Sequence, residues 1–151
     1  MTEGVNAAFV SDEWRVEVDE TGMALLAGCI GQSLLLGDCL ALHGDLGQGK
    51  TTFARALIRA LYTVHDFEVP SPTFSILQDY HLERGTIRHY DLYRIADPSE
   101  LEELGFEDAL SSSITLIEWP ERAGALLPDG HISLTMSGAA SPDRRIVTIA
   151  A

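Results

Sequence analysis

Apolar positions recur along this chain in two periods, and the changes of period mark out its elements. Trp14-Arg15-Val16-Glu17-Val18 alternates and predicts an edge strand. Asp19, Glu20 and Thr21 then offer capping side chains for a helix to about Leu34, with Met23, Leu26, Ala27 and Ile30 inward. Glycines at 22, 28 and 31 weaken that helix. Gly37-Asp38 is a turn into Cys39–His43, a short and mostly apolar run that reads as a buried strand. Over 52–61 the helical period returns, with Phe53, Ala56, Leu57, Ala60 and Leu61 on one stripe.

Beyond that helix, Pro70-Ser71-Pro72-Thr73-Phe74 is a rigid, extended turn set by two prolines. Residues 74–81 and 86–93 alternate as strands, and 82–85 has the length of a hairpin connection, which predicts antiparallel pairing and a mixed sheet. Asp97-Pro98-Ser99-Glu100 carries a cap, a proline at the first helical position and a glutamate three on. A short acidic helix over 98–104 should end at Gly105, and 106–110 adds another turn. The β-rich run 113–117 predicts a buried strand ending in Glu118-Trp119-Pro120, and 131–136 and 144–149 predict two more. No repeat, linker or shift of composition divides the chain. The expectation is one α/β domain over 13–151, a mixed central sheet flanked by helices, after a loosely ordered extension at 1–12.

The stretch between the buried strand and the second helix organises the rest. Gly44-Asp45-Leu46-Gly47-Gln48-Gly49-Lys50-Thr51 satisfies the phosphate-binding pattern G-x-x-x-x-G-K-[ST], in the strand–loop–helix setting that pattern requires. There backbone N–H groups wrap phosphate oxygens at a helix N-terminus, and the glycines let the backbone approach them closely. Lys50, expected on an exposed loop, reaches the β- and γ-phosphates, and the Thr51 hydroxyl takes Mg²⁺. Lys50 is also the sole lysine; the other basic side chains are all arginine. A compact ammonium is kept only where phosphate calls for one.

Charge narrows the partners. A formal net charge of −13 argues against direct grip on a nucleic-acid backbone. Cys29 and Cys39 lack metal or redox spacing and read as core thiols in a reducing compartment. Met1-Thr2-Glu3-Gly4 has neither the basic region nor the apolar segment of a secretory signal, and the apolar stretch 23–37 is too short to span a bilayer. The cytoplasm, with no membrane contact, is the expected location.

A nucleotide-hydrolysing site needs a further acidic group. Glu118 ends an apolar strand, where open α/β sheets place ligand-binding residues; the other reading is a solvated strand terminus. Alternation puts His89, Asp91 and Tyr93 on one face, which is either a site or the polar side of an edge strand. Together, the glycine loop with Thr52-Phe53, Ser71-Pro72-Thr73-Phe74, His89-x-Asp91-Leu92-Tyr93-Arg94 and Ile117-Glu118-Trp119-Pro120 resemble the TsaE (YjeE) family. That family is the small P-loop ATPase of bacterial tRNA threonylcarbamoyladenosine synthesis.

The resemblance covers roughly Asp19 to Pro128, with the four blocks in family order. It implies ATP and Mg²⁺ as ligands, with Thr51 and Glu118 on the metal and Lys50 with the backbone of Gly47, Gln48, Gly49, Thr51 and Thr52 on the phosphates. Asp91 would serve hydrolysis, Ser71-Pro72-Thr73 would sense the nucleotide, Thr21 would lie near adenine, and Arg144 would contact nucleotide from the tail. The implied partners are the TsaD and TsaB proteins, with tRNA reached only through them. Two other readings stay open: a small-molecule kinase, for which the mostly β-stranded remainder leaves little room for an acceptor pocket and lid, and a binding module in which hydrolysis is incidental. A site without an evident arginine finger turns over slowly alone, and Arg94 is the candidate internal substitute for one.

Overall fold

The computed structural model describes residues 13–62 and 76–151; the expectations for 1–12 and for Ser71, Pro72, Thr73 and Phe74 lie outside them. In chain order the elements are β1 (Glu13–Val18), α1 (Glu20–Ser33), β2 (Cys39–His43), α2 (Lys50–Leu61), β3 (Leu77–Leu82) and β4 (Gly85–Asp91). There follow α3 (Ser99–Glu102), α4 (Phe106–Ser112), β5 (Ile114–Glu118), a 3₁₀ segment (Pro120–Leu126), β6 (Ile132–Gly138) and β7 (Arg145–Ala150).

The strands form one mixed sheet in the order β1-β7-β6-β2-β5-β4-β3. Its centre, β6-β2-β5-β4, is parallel. Antiparallel pairs close both sides, β3 on β4 at one edge and β1 on β7 on β6 at the other. The α/β architecture with a mixed sheet is therefore as the periodicity predicts. Parallel strands need both faces covered, and two apolar clusters do this. One joins Met23 and Ala27 of α1 and Phe53, Leu57 and Ile58 of α2 to Leu40, Leu42, Ile87 and Leu116 of the sheet. The other packs Leu101 and Phe106 against Cys39, Tyr90 and Ile117.

Several boundaries and faces shift. The buried stripe of α2 is Phe53, Ala54, Leu57 and Ile58, with Ala56 and Leu61 only partly buried. A helix lying flat on a sheet buries two adjacent rows, wider than the single predicted stripe. In α1, Asp19 caps as expected, its Oδ1 accepting from the Gly22 amide at 2.8 Å. One of the helix's glycines has a packing reason: a Cβ on Gly31 would lie 3.1 Å from Leu57 Cγ, so this position lets α1 approach α2 closely. Strand β4 ends at Asp91, where the Leu92 amide turns to the Glu118 carbonyl, so Tyr93 is exposed and off the strand. Cys39 is buried, but Cys29 is exposed: one of the two expected core thiols is at the surface, because it sits on the outer side of α1.

Candidate functional site

The site grows from the end of β2. Gly44 has φ 149°, and a Cβ there would stand 2.8 Å from the Met136 carbonyl oxygen of the neighbouring strand. Only glycine passes this point. The loop then turns through Gly47 and Gly49, both in positive φ, into α2. The first amides of α2 have no partner within the helix and point back over the loop.

Lys50 opens that helix and is 5% exposed, contrary to the exposed loop position expected of it. Its stem is covered because the loop folds back: Nζ donates to the carbonyl oxygens of Gly44 and Asp45. The same ammonium lies 4.0 Å from the centre of the Trp119 ring, a cation–π contact. Burial pulls the Lys50 pKa down, opposed by the charges of Glu118, Glu121, Asp91 and Asp45. Trp119 is held for this contact in left-handed backbone, φ 56° and ψ 52°, a conformation disfavoured for a bulky side chain.

One residue on, the Thr51 hydroxyl donates to Glu118 Oε1 at 2.7 Å. Glu118 is not a solvated strand end; it is 2% exposed. Its other oxygen, Oε2, accepts from His89 Nε2 at 2.7 Å, and His89 is wholly buried. Among the described residues, His89 Nδ1 is buried without a hydrogen-bond partner. Asp91, two residues along β4 on the same face, stands in register with Glu118. It is half-buried, and its Oδ1 accepts from the Tyr93 amide at 3.1 Å. Burial raises the Asp91 pKa, with Glu118 adding to the rise and the Tyr93 amide, His89 and Lys50 opposing it.

Beside the loop opens a cleft of about 530 Å³. Thr21 lines it together with Gly47, Gln48, Gly49 and Thr52, and the far wall is Pro142, Asp143 and Arg145. The expected tail residue Arg144 lies elsewhere: its Nε is paired with Glu17 Oε2 at 3.0 Å. Alternation along β7 puts its neighbour Arg145 on the cleft instead, with Nη1 resting on the Pro142 and Arg144 carbonyls. The structure thus brings together Lys50, Thr51, Glu118 and Asp91 in one group and Thr21 with Gly47, Gln48, Gly49 and Thr52 in an adjoining one.

Two residues escape sequence reasoning in these roles. Strand alternation in the sequence sets His89 only on one face with Asp91, and its contact to Glu118 depends on the β4–β5 pairing. Trp119 carried no signal for a contact to Lys50 beyond its place after Glu118. Chemically, a hydroxyl and a carboxylate oxygen in contact form part of the hard-oxygen set that suits Mg²⁺. Among the described residues no group of three or more His, Cys, Asp or Glu is arranged to hold a metal, so a cation here would draw further ligands beyond these side chains, as it does when phosphate oxygens and water complete its shell. Among the described residues, no helix is long and apolar enough to cross a membrane.

Comparison with known proteins identifies the chain's family. A sequence model of the family described as "Threonylcarbamoyl adenosine biosynthesis protein TsaE" matches residues 18–146. The tRNA threonylcarbamoyladenosine biosynthesis protein TsaE of Rickettsia conorii is 42% identical over 124 residues, 82% of this chain and 70% of that protein. The proteins of the same name from Rickettsia felis and Haemophilus influenzae are 48% and 44% identical, over 74% and 60% of this chain. These two matches span 64% and 57% of those relatives' own lengths. Among solved structures, that of Bacillus subtilis YdiB superposes with a TM-score of 0.69 at 27% identity, covering 92% of this chain and 84% of that one. On the family match and these relatives, the chain belongs to the TsaE family of threonylcarbamoyl adenosine biosynthesis proteins.

Proposed function

We propose that this chain is the Mg²⁺-dependent, ATP-binding and ATP-hydrolysing component of tRNA threonylcarbamoyladenosine biosynthesis, acting in the cytoplasm in assembly with TsaD and TsaB. The observation that carries the reading is the 2.7 Å contact between Thr51 Oγ1 and Glu118 Oε1 in the first turn of the loop helix. It joins the hydroxyl of the phosphate-loop pattern to a buried acid from a separate strand, and that pair is what a nucleotide-bound metal requires.

In this reading the amides of residues 47–52 and Lys50 hold the phosphates, and the cleft bounded by Thr21 and Arg145 takes the base and sugar. Thr51 and Glu118 hold Mg²⁺, whose chemistry is to neutralise charge on the phosphate oxygens. Asp91, beside Glu118 and accepting from the Tyr93 amide, orients the attacking water. Lys50 exchanges its loop carbonyls for phosphate oxygens, a stronger, charge-assisted partner. With a net charge of −13, the chain leaves tRNA to its partners and acts as their nucleotide-dependent component.

The test mixes purified protein with TsaD and TsaB, with and without ATP and Mg²⁺, and follows complex formation and products. ATP-dependent assembly with release of free phosphate is the expected result. A phosphorylated small acceptor, or assembly indifferent to nucleotide, overturns it.

A further inference from the structure

Glu118 can ligate a metal only if one of its oxygens is aimed at the Thr51 hydroxyl, and nothing on its own strand aims it. The structure holds the carboxylate from two sides. Thr51 donates to Oε1, and His89 donates through Nε2–H to Oε2, both at 2.7 Å. The strand pairing makes this possible: β4 lies parallel beside β5, with Asp91 opposite Glu118 and His89 opposite Leu116. His89 and Asp91 therefore share the face that looks toward the loop helix.

Burial makes the histidine's role specific. Its ring is 0% exposed and Glu118 is 2% exposed, so no solvent competes for Oε2. A buried carboxylate oxygen without a donor is costly, and His89 Nε2 is the side-chain donor that meets it. Among the described residues Nδ1 is buried without a hydrogen-bond partner, and the polar contact the ring makes there is to Glu118.

We infer that His89 is a positioning residue for the metal site: its Nε2–H fixes Oε2 of Glu118 so that Oε1 is presented to Thr51 and to the metal. Outer partners of metal-binding carboxylates commonly set metal affinity by about 10–100-fold. The inference rests on the proposed Mg²⁺–ATP reading and adds to it a residue that touches neither nucleotide nor metal.

The test compares wild type, His89→Asn and His89→Gln for ATP affinity in EDTA and across a Mg²⁺ titration. The Gln amide nitrogen falls where Nε2 does, whereas the Asn nitrogen falls where Nδ1 does and cannot reach Oε2. His89→Asn is expected to leave affinity in EDTA within about twofold and to raise the half-saturating Mg²⁺ concentration about tenfold or more, with His89→Gln recovering most of that loss. On the unmutated protein, ¹⁵N-histidine spectra should move the His89 Nε2 signal with Mg²⁺–ATP and not with ATP in EDTA. That measurement stands even if His89→Asn fails to fold. A wild type that binds ATP equally with and without Mg²⁺ overturns both the metal reading and this one. A Mg²⁺-dependent wild type whose dependence survives in His89→Asn, or whose Nε2 signal ignores Mg²⁺, overturns this one alone. So does a His89→Asn that loses affinity equally in EDTA and in Mg²⁺, which marks a merely structural histidine.

Discussion

Asp91 and Glu118 face each other across the parallel β4–β5 pairing, two acids from distant parts of the chain set side by side above the first turn of α2. Their surroundings differ. Glu118 is closed in by Thr51 and His89, while Asp91 is half-buried and accepts from the Tyr93 amide. Neighbouring carboxylates in unlike environments are suited to unlike tasks.

Asp91→Ala should therefore separate binding from turnover. Interactions made mainly in the transition state lower rate and spare ground-state affinity. ATP affinity should stay within about tenfold, or ~1.4 kcal/mol, while phosphate release falls about 100-fold or more. The variant should still assemble with TsaD and TsaB in ATP. Equal loss of affinity and rate would make Asp91 a binding residue.

The same acid makes a prediction about pH. Burial raises its pKa above the ordinary 3.8. A carboxyl with a raised folded-state pKa favours the fold most when protonated, below its unfolded value, and loses that contribution as pH rises through the folded value. Asp91→Asn should melt close to wild type near pH 3.5 and above it at neutral pH. A gap that narrows as pH rises would contradict the sign.

Lys50→Ala should reduce ATP affinity by about 10–150-fold, the equivalent of one lost charge-assisted contact at ~1.5–3 kcal/mol. As the sole lysine, Lys50 shares amine reactivity only with the N-terminus. Because it is 5% exposed and lies against Trp119, labelling should be slow without ATP and slower still with it. Labelling that ATP leaves unchanged would remove Lys50 from the phosphate site.

Glu118→Gln keeps the shape of the side chain and an oxygen for His89, but replaces a charged donor with a neutral amide. The Mg²⁺ concentration for half-maximal ATP binding should rise about tenfold or more, with little change in EDTA. Trp119, next in sequence, offers the fluorescence readout. A wild-type titration in the variant would leave Asp91 as the metal-binding acid.

The two thiols should differ in reactivity. Burial pushes the Cys39 thiol up to about 12, whereas Cys29 is exposed. A thiolate-selective alkylating agent at neutral pH should modify Cys29 alone in the native protein and both in urea, counted by mass spectrometry.

What the sequence by itself determined is local in origin. The glycine loop, the cap at Asp19, the alternation in β4 and the β-rich run of β5 each depend on a few adjacent residues, because backbone dihedrals and side-chain periods are properties of short stretches. The candidate group Lys50, Thr51, Asp91 and Glu118 was legible for that reason: each stood at the end of a recognisable element. The tertiary structure decided whatever depends on which elements become neighbours. Strand order put β4 against β5 and so brought His89 to Glu118. The fold of the loop buried Lys50 against Trp119, and the pairing of β1 with β7 drew Arg144 to Glu17 while Arg145 faced the cleft. The exposure of Cys29 was likewise decided by which side of α1 met α2. Contacts between residues far apart in sequence are chosen by the packing of whole faces, and a single residue's shift in a strand changes the face on which a side chain emerges.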